Sequence, residues 1–399
     1  MARETVLEQT LGREICMMKR LGDYIRPVDV RNRDLKVTRL LGVSITKEFM
    51  PSIANIVGTD LSAYKVVTKG QFAYGPVTSR NGDKISVALL DGYDDAIISQ
   101  AYTVFEVVDT NALDPEYLMM WFRRPEFDRY ARFHSHGSAR EVFDWEEMCE
   151  VQVPVPAIEK QREIVAEYNT LATRIETNKK LIATLEQTAQ TLYRHTFVDN
   201  IDPNNLPDGW RMGTVGDFCE CNTENASSKD LKGVIKYLDS GSVTENNFES
   251  LQVLDSTCDE IPSRAKRKVK PNDIVYSTVR PNLRHYGLMK FDVENVVVST
   301  AFAVIRSVNK NISNELVYMW LSDLKVVEAL HGVAEMSKAT YPSITPDDIM
   351  NVKIPIPEQF DFSELNNALE AIFNASYRYL QENQTLTQMQ TLLLSKMGK

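Results

Sequence analysis

Arg280, Asn282, Arg284 and His285 share one stretch, DIVYSTVRPNLRHYG (273–287), in which a strand-like DIVYSTV gives way to a loop. Guanidinium and carboxamide groups crowded at a strand end have two chemical uses. Arg and Lys fork onto guanine edges and Asn onto adenine. The same groups also grip phosphates, which position a nucleic acid without specifying its bases. Just upstream stands PSRAKRKVK (262–270), with Arg264, Lys266, Arg267 and Lys268. Between Arg264 and Lys290 there are eight Lys or Arg against one acid, Asp273, a local charge of +7 in a chain whose net charge is −10. The total argues against a polyanionic partner, and the local excess argues for one. A solvated basic loop accounts for the same run.

The first half has a corresponding stretch. QFAYGPVTSRNGDK (71–84) ends its strand in Thr78, Ser79, Arg80 and Asn81, with Lys84 beyond, so an Arg–Asn or Arg–x–Asn pair recurs at one point of both halves. A turn of solvated polar residues explains that recurrence too. Another candidate is RRPEFDRYARFHSHGSAR (123–140), with five Arg against two acids and with Tyr130 and Phe133 interleaved. There Arg132, Ser138 and Arg140 are of the types that hold a phosphate; they equally suit the cap and loop before a next element. Its counterpart, LHGVAEMSKATYPS (330–343), keeps Lys338 and Tyr341.

Catalytic signatures are missing from the sequence. It has no GxxxxGK[ST] loop, no Gly-rich dinucleotide turn and no HExxH. No Glu-x-Lys follows the Pro-Asp pairs at 207–208 and 346–347, and no Asn/Asp-Pro-Pro-aromatic tetrapeptide offers a base-methylating loop. The five cysteines, Cys219-Glu220-Cys221 among them, form no CxxC pair and suit a reducing compartment without a zinc site. No apolar run reaches the length of a membrane span, and MARETVLEQTLGREICMMKR lacks an apolar signal core. These features lead us to expect a soluble, cytoplasmic binding protein with no catalytic residues, metal or cofactor of its own and no membrane partner.

The elements that must position these residues come in pairs. Ile98–Phe105 matches Val298–Ile305 as alternating strand-type runs, and Asp114–Phe122 matches Asn314–Leu321 as Asp- or Asn-capped helices. Phe143–Met148 matches Ile344–Ile349, and VPVP (153–156) matches IPIP (354–357), with every offset between 199 and 201. Each half then ends in a long helix that accepts its proline, Pro156 or Pro357, in the first turn. A 4-3 apolar spacing runs from Ile164 and Tyr168 to Ala189 and Leu192. It recurs 201 positions on, from Leu365 and Leu369 to Gln390 and Leu393, wetter in the middle at Ser376 and Asn383. Such a seam needs a partner helix, and the simplest partner for each is the other. About 40 residues at ~1.5 Å each make a rod of roughly 60 Å. The expected order is a globular domain (1–156), a helix (157–197), a second domain (198–356) and a second helix (357–399).

With this repeat, the phrases GSAREVFDWEEM, PVPAIEKQREIVAEY, LPDGWR and KPNDIVYSTVRPNLRH resemble the specificity (S) subunit of type I restriction–modification enzymes over essentially the whole chain. The second copy departs by reading EQFDFSEL where the family carries Gln-Arg/Lys-x-Ile. The resemblance implies an α+β fold: two duplicated α/β target-recognition domains separated by two long α-helices packed as an antiparallel coiled coil. It implies that each domain reads one part of a split double-stranded DNA target with a fixed gap. It also implies that the helices dock two modification subunits, which carry S-adenosylmethionine and methylate adenine, and that restriction subunits join them. Two readings from other classes stand beside it. A stand-alone duplicated DNA-modifying enzyme has the missing motifs against it, and a coiled-coil scaffold without DNA readout has the basic run against it.

Overall fold

Alternating apolar runs give mainly antiparallel sheets in both halves, and the computed structural model shows one four-stranded sheet built alike in each; a second sheet differs, with two strands in the first half and four in the second, where Val234–Leu238 runs parallel to Val296–Ser299. The structure describes residues 18–52, 58–79, 81–137, 140–199, 201–249, 251–337, 341–359 and 361–397. Two compact units result, Met1–Ile175 with Gln384–Lys399, and Glu176–Asn383. The α-helices among the described residues are α1 (Pro115–Phe122), α2 (Pro125–Phe133), α3 (Trp145–Glu150), α4 (Ile158–Phe197), α5 (Asn314–Ser322), α6 (Leu324–Glu335), α7 (Pro346–Met350) and α8 (Ser363–Lys396).

In the first unit a four-stranded sheet runs in the order Ile25–Val28, Thr103–Val107, Phe72–Tyr74, Val87–Leu89, all antiparallel. In the second unit the order is Cys219–Cys221, Phe302–Ser307, Ile274–Ser277, Tyr286–Leu288, again antiparallel. The Pro strands also pair alike: Gln152–Pro154 with Met18–Arg20, and Lys353–Pro357 with Trp210–Thr214. The central strands carry Phe72, Tyr74 and Phe105 in one unit and Tyr276, Phe302 and Ile305 in the other, all at most 1% exposed. Burial on this scale, at about 1.5–3 kcal/mol per large apolar side chain, is what holds each sheet against its helices.

Three expectations need correction. The matched runs 98–105 and 298–305 are not single strands. Each is cut by a turn between strands of different sheets, Asp95–Ile98 and Thr103–Val107 in one unit, Val296–Ser299 and Phe302–Ser307 in the other. Ser99 and Ser299 make the cut, their hydroxyls accepting the amides of Ala101 and Ala301. Asn314 does not cap α5; Ser313 does, accepting from Leu316 N, while Asn314 bridges Ser307 and Asn272. Neither proline stands in the first turn of a helix: Pro156 lies two residues ahead of α4, and Pro357 ends a strand, with α8 beginning only at Ser363.

The long helices pack through the seam expected of them: every 4-3 position along both is buried or half-buried. In the first unit Val165 and Tyr168, near the start of α4, share a core with Leu394 and Met397 at the end of α8. In the second unit Ala189, Tyr193 and Phe197, at the end of α4, share one with Leu369 and Phe373 at the start of α8. The pair is therefore antiparallel. A polar layer interrupts the seam where fully buried Asn178 donates to Asn383 Oδ1 (3.0 Å) and Glu382 Oε2 (3.1 Å).

Amide side chains key each helix to its domain. Gln161 accepts the amide of the α1 cap Asp114 and donates to the Ala112 carbonyl. Asn366 does the same for the α5 cap Ser313 and the Asn311 carbonyl, and like Gln161 it is the fourth residue of its helix.

Candidate nucleic-acid interface

The loop after strand Ile274–Ser277 is set by backbone geometry. Arg280 and Arg284 both lie in the left-handed region (φ +49° and +56°) on either side of a single 3-10 turn, Pro281–Leu283. Neither is glycine, so each conformation is held by contacts. The Arg280 amide donates to the Pro342 carbonyl (2.9 Å), and its guanidinium lies 5.2 Å over the Tyr341 ring. Arg284 forms an ion pair with Glu245 (2.7 Å), whose own amide returns a bond to the Arg284 carbonyl (2.9 Å). Glu245 and Asn246 form the tight turn between strands Val243–Thr244 and Asn247–Phe248. His285 turns inward, its Nδ1 donating to the Val243 carbonyl (2.7 Å). Behind the loop Tyr286 stacks on Tyr276, and burial pushes its phenol up to about 12. The exposed groups left at the tip are Arg280, Asn282, Leu283 and Tyr341.

The first unit crosses its chains in the same way with different side chains. Thr78 N donates to the Glu141 carbonyl and Phe143 N to Pro76, as Arg280 N donates to Pro342 and Ile344 N to Thr278. The backbone place of Arg280 is thus held by Thr78, not by Arg80. Thr78 is 2% exposed, its hydroxyl bonded to Ser135 and the Glu141 carbonyl, so it frames the loop and faces no solvent. Asn81 turns back onto the Val77 carbonyl, while Ser79 and Lys84 are exposed. Arg132 forms an ion pair with Glu141, and Arg140 is exposed with no carboxylate partner among the described residues. Gly137 (φ +132°) makes the turn before it, where a Cβ would run into the Arg140 carbonyl oxygen. Arg80, Ser138 and Lys338 lie outside the described residues.

The basic run is less basic in space than in sequence. Lys268 pairs with Asp230, Lys270 with Glu224, Arg284 with Glu245 and Lys290 with Glu315, carboxylates from distant parts of the chain. Lys268, with the Ser227 hydroxyl and amide, holds the Asp230 carboxyl well below its ordinary range. Arg267 donates to Asn225 (2.8 Å). Arg264, Lys266 and Arg280 are exposed without a carboxylate partner among the described residues. Strand Ala265–Lys268 belongs to a different sheet from the strands flanking the 280–285 loop. The structure therefore brings Arg280 together with Tyr341, and Arg284 with His285 on the 243–248 hairpin. It does not gather the whole basic run into one patch. The Tyr341 contact and the Glu245 lock escaped the sequence reading, because both cross more than thirty positions with no periodic signal.

Among the described residues no group of His, Cys, Asp or Glu could hold a metal ion, and no helix is long and apolar enough to cross a membrane.

Comparison with known proteins places this arrangement. Residues 65–187 and 207–361 each match the family described as "Type I restriction modification DNA specificity domain". Over 180 residues the chain is 26% identical to the specificity subunit of the type I restriction enzyme HindI from Haemophilus influenzae, covering 45% of this chain and 39% of that one. Over 318 residues it is 22% identical to the MjaIX specificity subunit from Methanocaldococcus jannaschii, covering 73% and 70%. The HindI match thus spans well under half of that relative's length. A crystal structure of a type I restriction–modification S subunit from M. genitalium aligns with a TM-score of 0.62 at 13% identity, covering 96% of this chain and 95% of that one, a likeness of fold. The two family segments fall one in each half and together span well over half of the chain, so it belongs to the family of type I restriction–modification DNA specificity domains.

Proposed function

We propose that this chain is the DNA-reading, non-catalytic subunit of a cytoplasmic type I restriction–modification complex. Each unit addresses one part of a split double-stranded target with a fixed gap. The helix pair is the docking surface for two modification subunits, which bind S-adenosylmethionine and recruit restriction subunits; this chain binds no cofactor. The reading domains are those drawn from the sequence at 1–156 and 198–356.

One observation carries the reading. The same backbone crossing recurs in both units, and it presents a different set of polar side chains in each. A scaffold without readout has no use for that difference, whereas a split target needs two dissimilar readers on one frame. In the second unit Arg280 and Asn282 address base edges, where a good bidentate contact discriminates by about 1–3 kcal/mol. Arg264, Lys266 and, in the first unit, Ser79, Lys84 and Arg140 take phosphates or base edges. Thr78, Arg132, Arg284 and His285 hold the loops in shape.

The test is retention of duplex DNA by the chain assembled with its modification subunits, measured against salt. A steep loss of affinity as salt rises, with methylation confined to one split sequence, is the expected result. Methyl transfer from labelled S-adenosylmethionine by the chain alone would instead establish the stand-alone enzyme.

A further inference from the structure

The second unit buries a lysine where its domain meets its long helix. Lys290, two residues past strand Tyr286–Leu288, gives its ammonium to the Glu315 carboxylate and to Asn374 Oδ1 (3.1 Å). Glu315 is the second residue of α5, and Asn374 the twelfth of α8. The first unit repeats both acceptors in register. Glu116 is the second residue of α1, Asn169 the twelfth of α4, and Asn169 Nδ2 donates to Glu116 Oε2 (2.6 Å). The ammonium is not repeated. Two residues past strand Val87–Leu89 stands Asp91, exposed and without a cationic partner among the described residues.

A cavity of about 630 Å³ lies there, within the first unit, lined by Asp91, Glu116 and Asn169. That size suits a small organic ligand. Leu89, Met119, Met120 and Tyr168 give it an apolar wall, and Glu48 adds a third carboxylate. Its two cations are engaged elsewhere. Lys47 is buried on Asp128 (2.7 Å), and Arg123 lies over the Tyr168 ring (5.6 Å). Once Lys47 is neutralised by Asp128, three carboxylates face one guanidinium. An acidic rim beside a hydrocarbon wall is complementary to a cationic head on an alkyl stem, which buries the stem and leaves the head among polar groups.

We propose that this cavity binds an alkylammonium group between Asp91 and Glu116, the ligand that Lys290 supplies from inside the chain in the second unit. The source is a free polyamine or the lysine side chain of a docked protein; the chemistry of the site is the same for both. The inference is independent of the DNA-reading function above.

The probe is n-butylammonium, a lysine side chain without its backbone, titrated into the full chain at constant ionic strength with n-butanol as control. Binding is read from the melting temperature and from the methyl resonances of Met119 and Met120. The expected result is saturable binding of the amine that moves both methyls and that n-butanol does not reproduce. Asp91→Asn weakens it by about ten-fold, the size of a lost charge-assisted hydrogen bond. Asp91→Lys abolishes it and melts higher than Asp91→Asn, because the new ammonium takes the place that Lys290 fills in the other copy. The same titration of the chain assembled with its modification subunits separates the sources. Binding retained there assigns the site to a free amine; binding lost, with assembly weakened by Asp91→Lys, assigns it to a lysine of the partner. No saturable binding to the free chain, equal binding of n-butanol, or an affinity unmoved by Asp91→Lys overturns the site and leaves the DNA-reading function untouched.

Discussion

Two arginines in left-handed backbone frame the second unit's loop, and each forgoes about 1–2 kcal/mol against an ordinary conformation. Such an arrangement survives because the surroundings over-determine it: the Pro342 carbonyl and Tyr341 ring at Arg280, the Glu245 turn at Arg284. Arg280→Gly therefore separates fold from readout. We expect the variant to unfold at an unchanged or slightly higher denaturant midpoint, since glycine takes φ +49° without strain, while methylation fails at one half of the split target only. Equal methylation by the variant would remove Arg280 from the interface. Residue types at this loop were legible in the sequence; their register was not. Arg80 stands opposite Arg280 by spacing, yet the hydrogen bonds put Thr78 in that place, because a slip of two residues in a loop changes no hydrophobic period. Similarly, eight cations in a row read as a charged patch until four of them are found on distant carboxylates.

Helices and strands were far more legible, since their signal is periodic and long. The 4-3 seam of α4 and α8 is borne out position by position in burial. What the period could not give was the start of α8, where Phe362 is buried against Phe197 (ring centroids 5.3 Å apart) before the helix begins. Nor could it give the role of the polar layer. Asn178 is fully buried, and its Oδ1 meets no donor among the described residues, an arrangement expected to cost stability while fixing the register. Asn178→Leu should raise the unfolding free energy by about 1–2 kcal/mol in denaturant titrations while admitting slipped or oligomeric forms visible by light scattering. Lys290 is the opposite case. It is 6% exposed on Glu315, itself 4% exposed, with Asn374 of α8 at 3.1 Å. Lys290→Met strands a buried carboxylate and should destabilise the second unit by about 3–5 kcal/mol, read as a lowered melting transition.

Across the whole chain, the repeat at an offset near 200 was the strongest message in the sequence, and the two sheets of identical strand order answer it. Helix α4 is continuous for 40 residues, and under the proposed function its length would set the gap between the two parts of the target. Removing one heptad from α4 and one from α8 takes about 10 Å from each. The modified sites, mapped in cells, should then tolerate a shorter gap between their halves, and an unchanged gap would separate spacing from the helices. Duplication also carries a hazard. A chain that makes the same fold twice offers every helix two look-alike berths while it is being synthesised. Gln161 and Asn366 sharpen that hazard, since each is the fourth residue of its helix and makes the same two bonds, to a cap amide and to a carbonyl. The two carboxamides differ by a single methylene, so a helix entering the wrong berth would meet a slot cut almost to its own measure. Order of synthesis, which completes the first domain before the second exists, is then what keeps the twins from trading places.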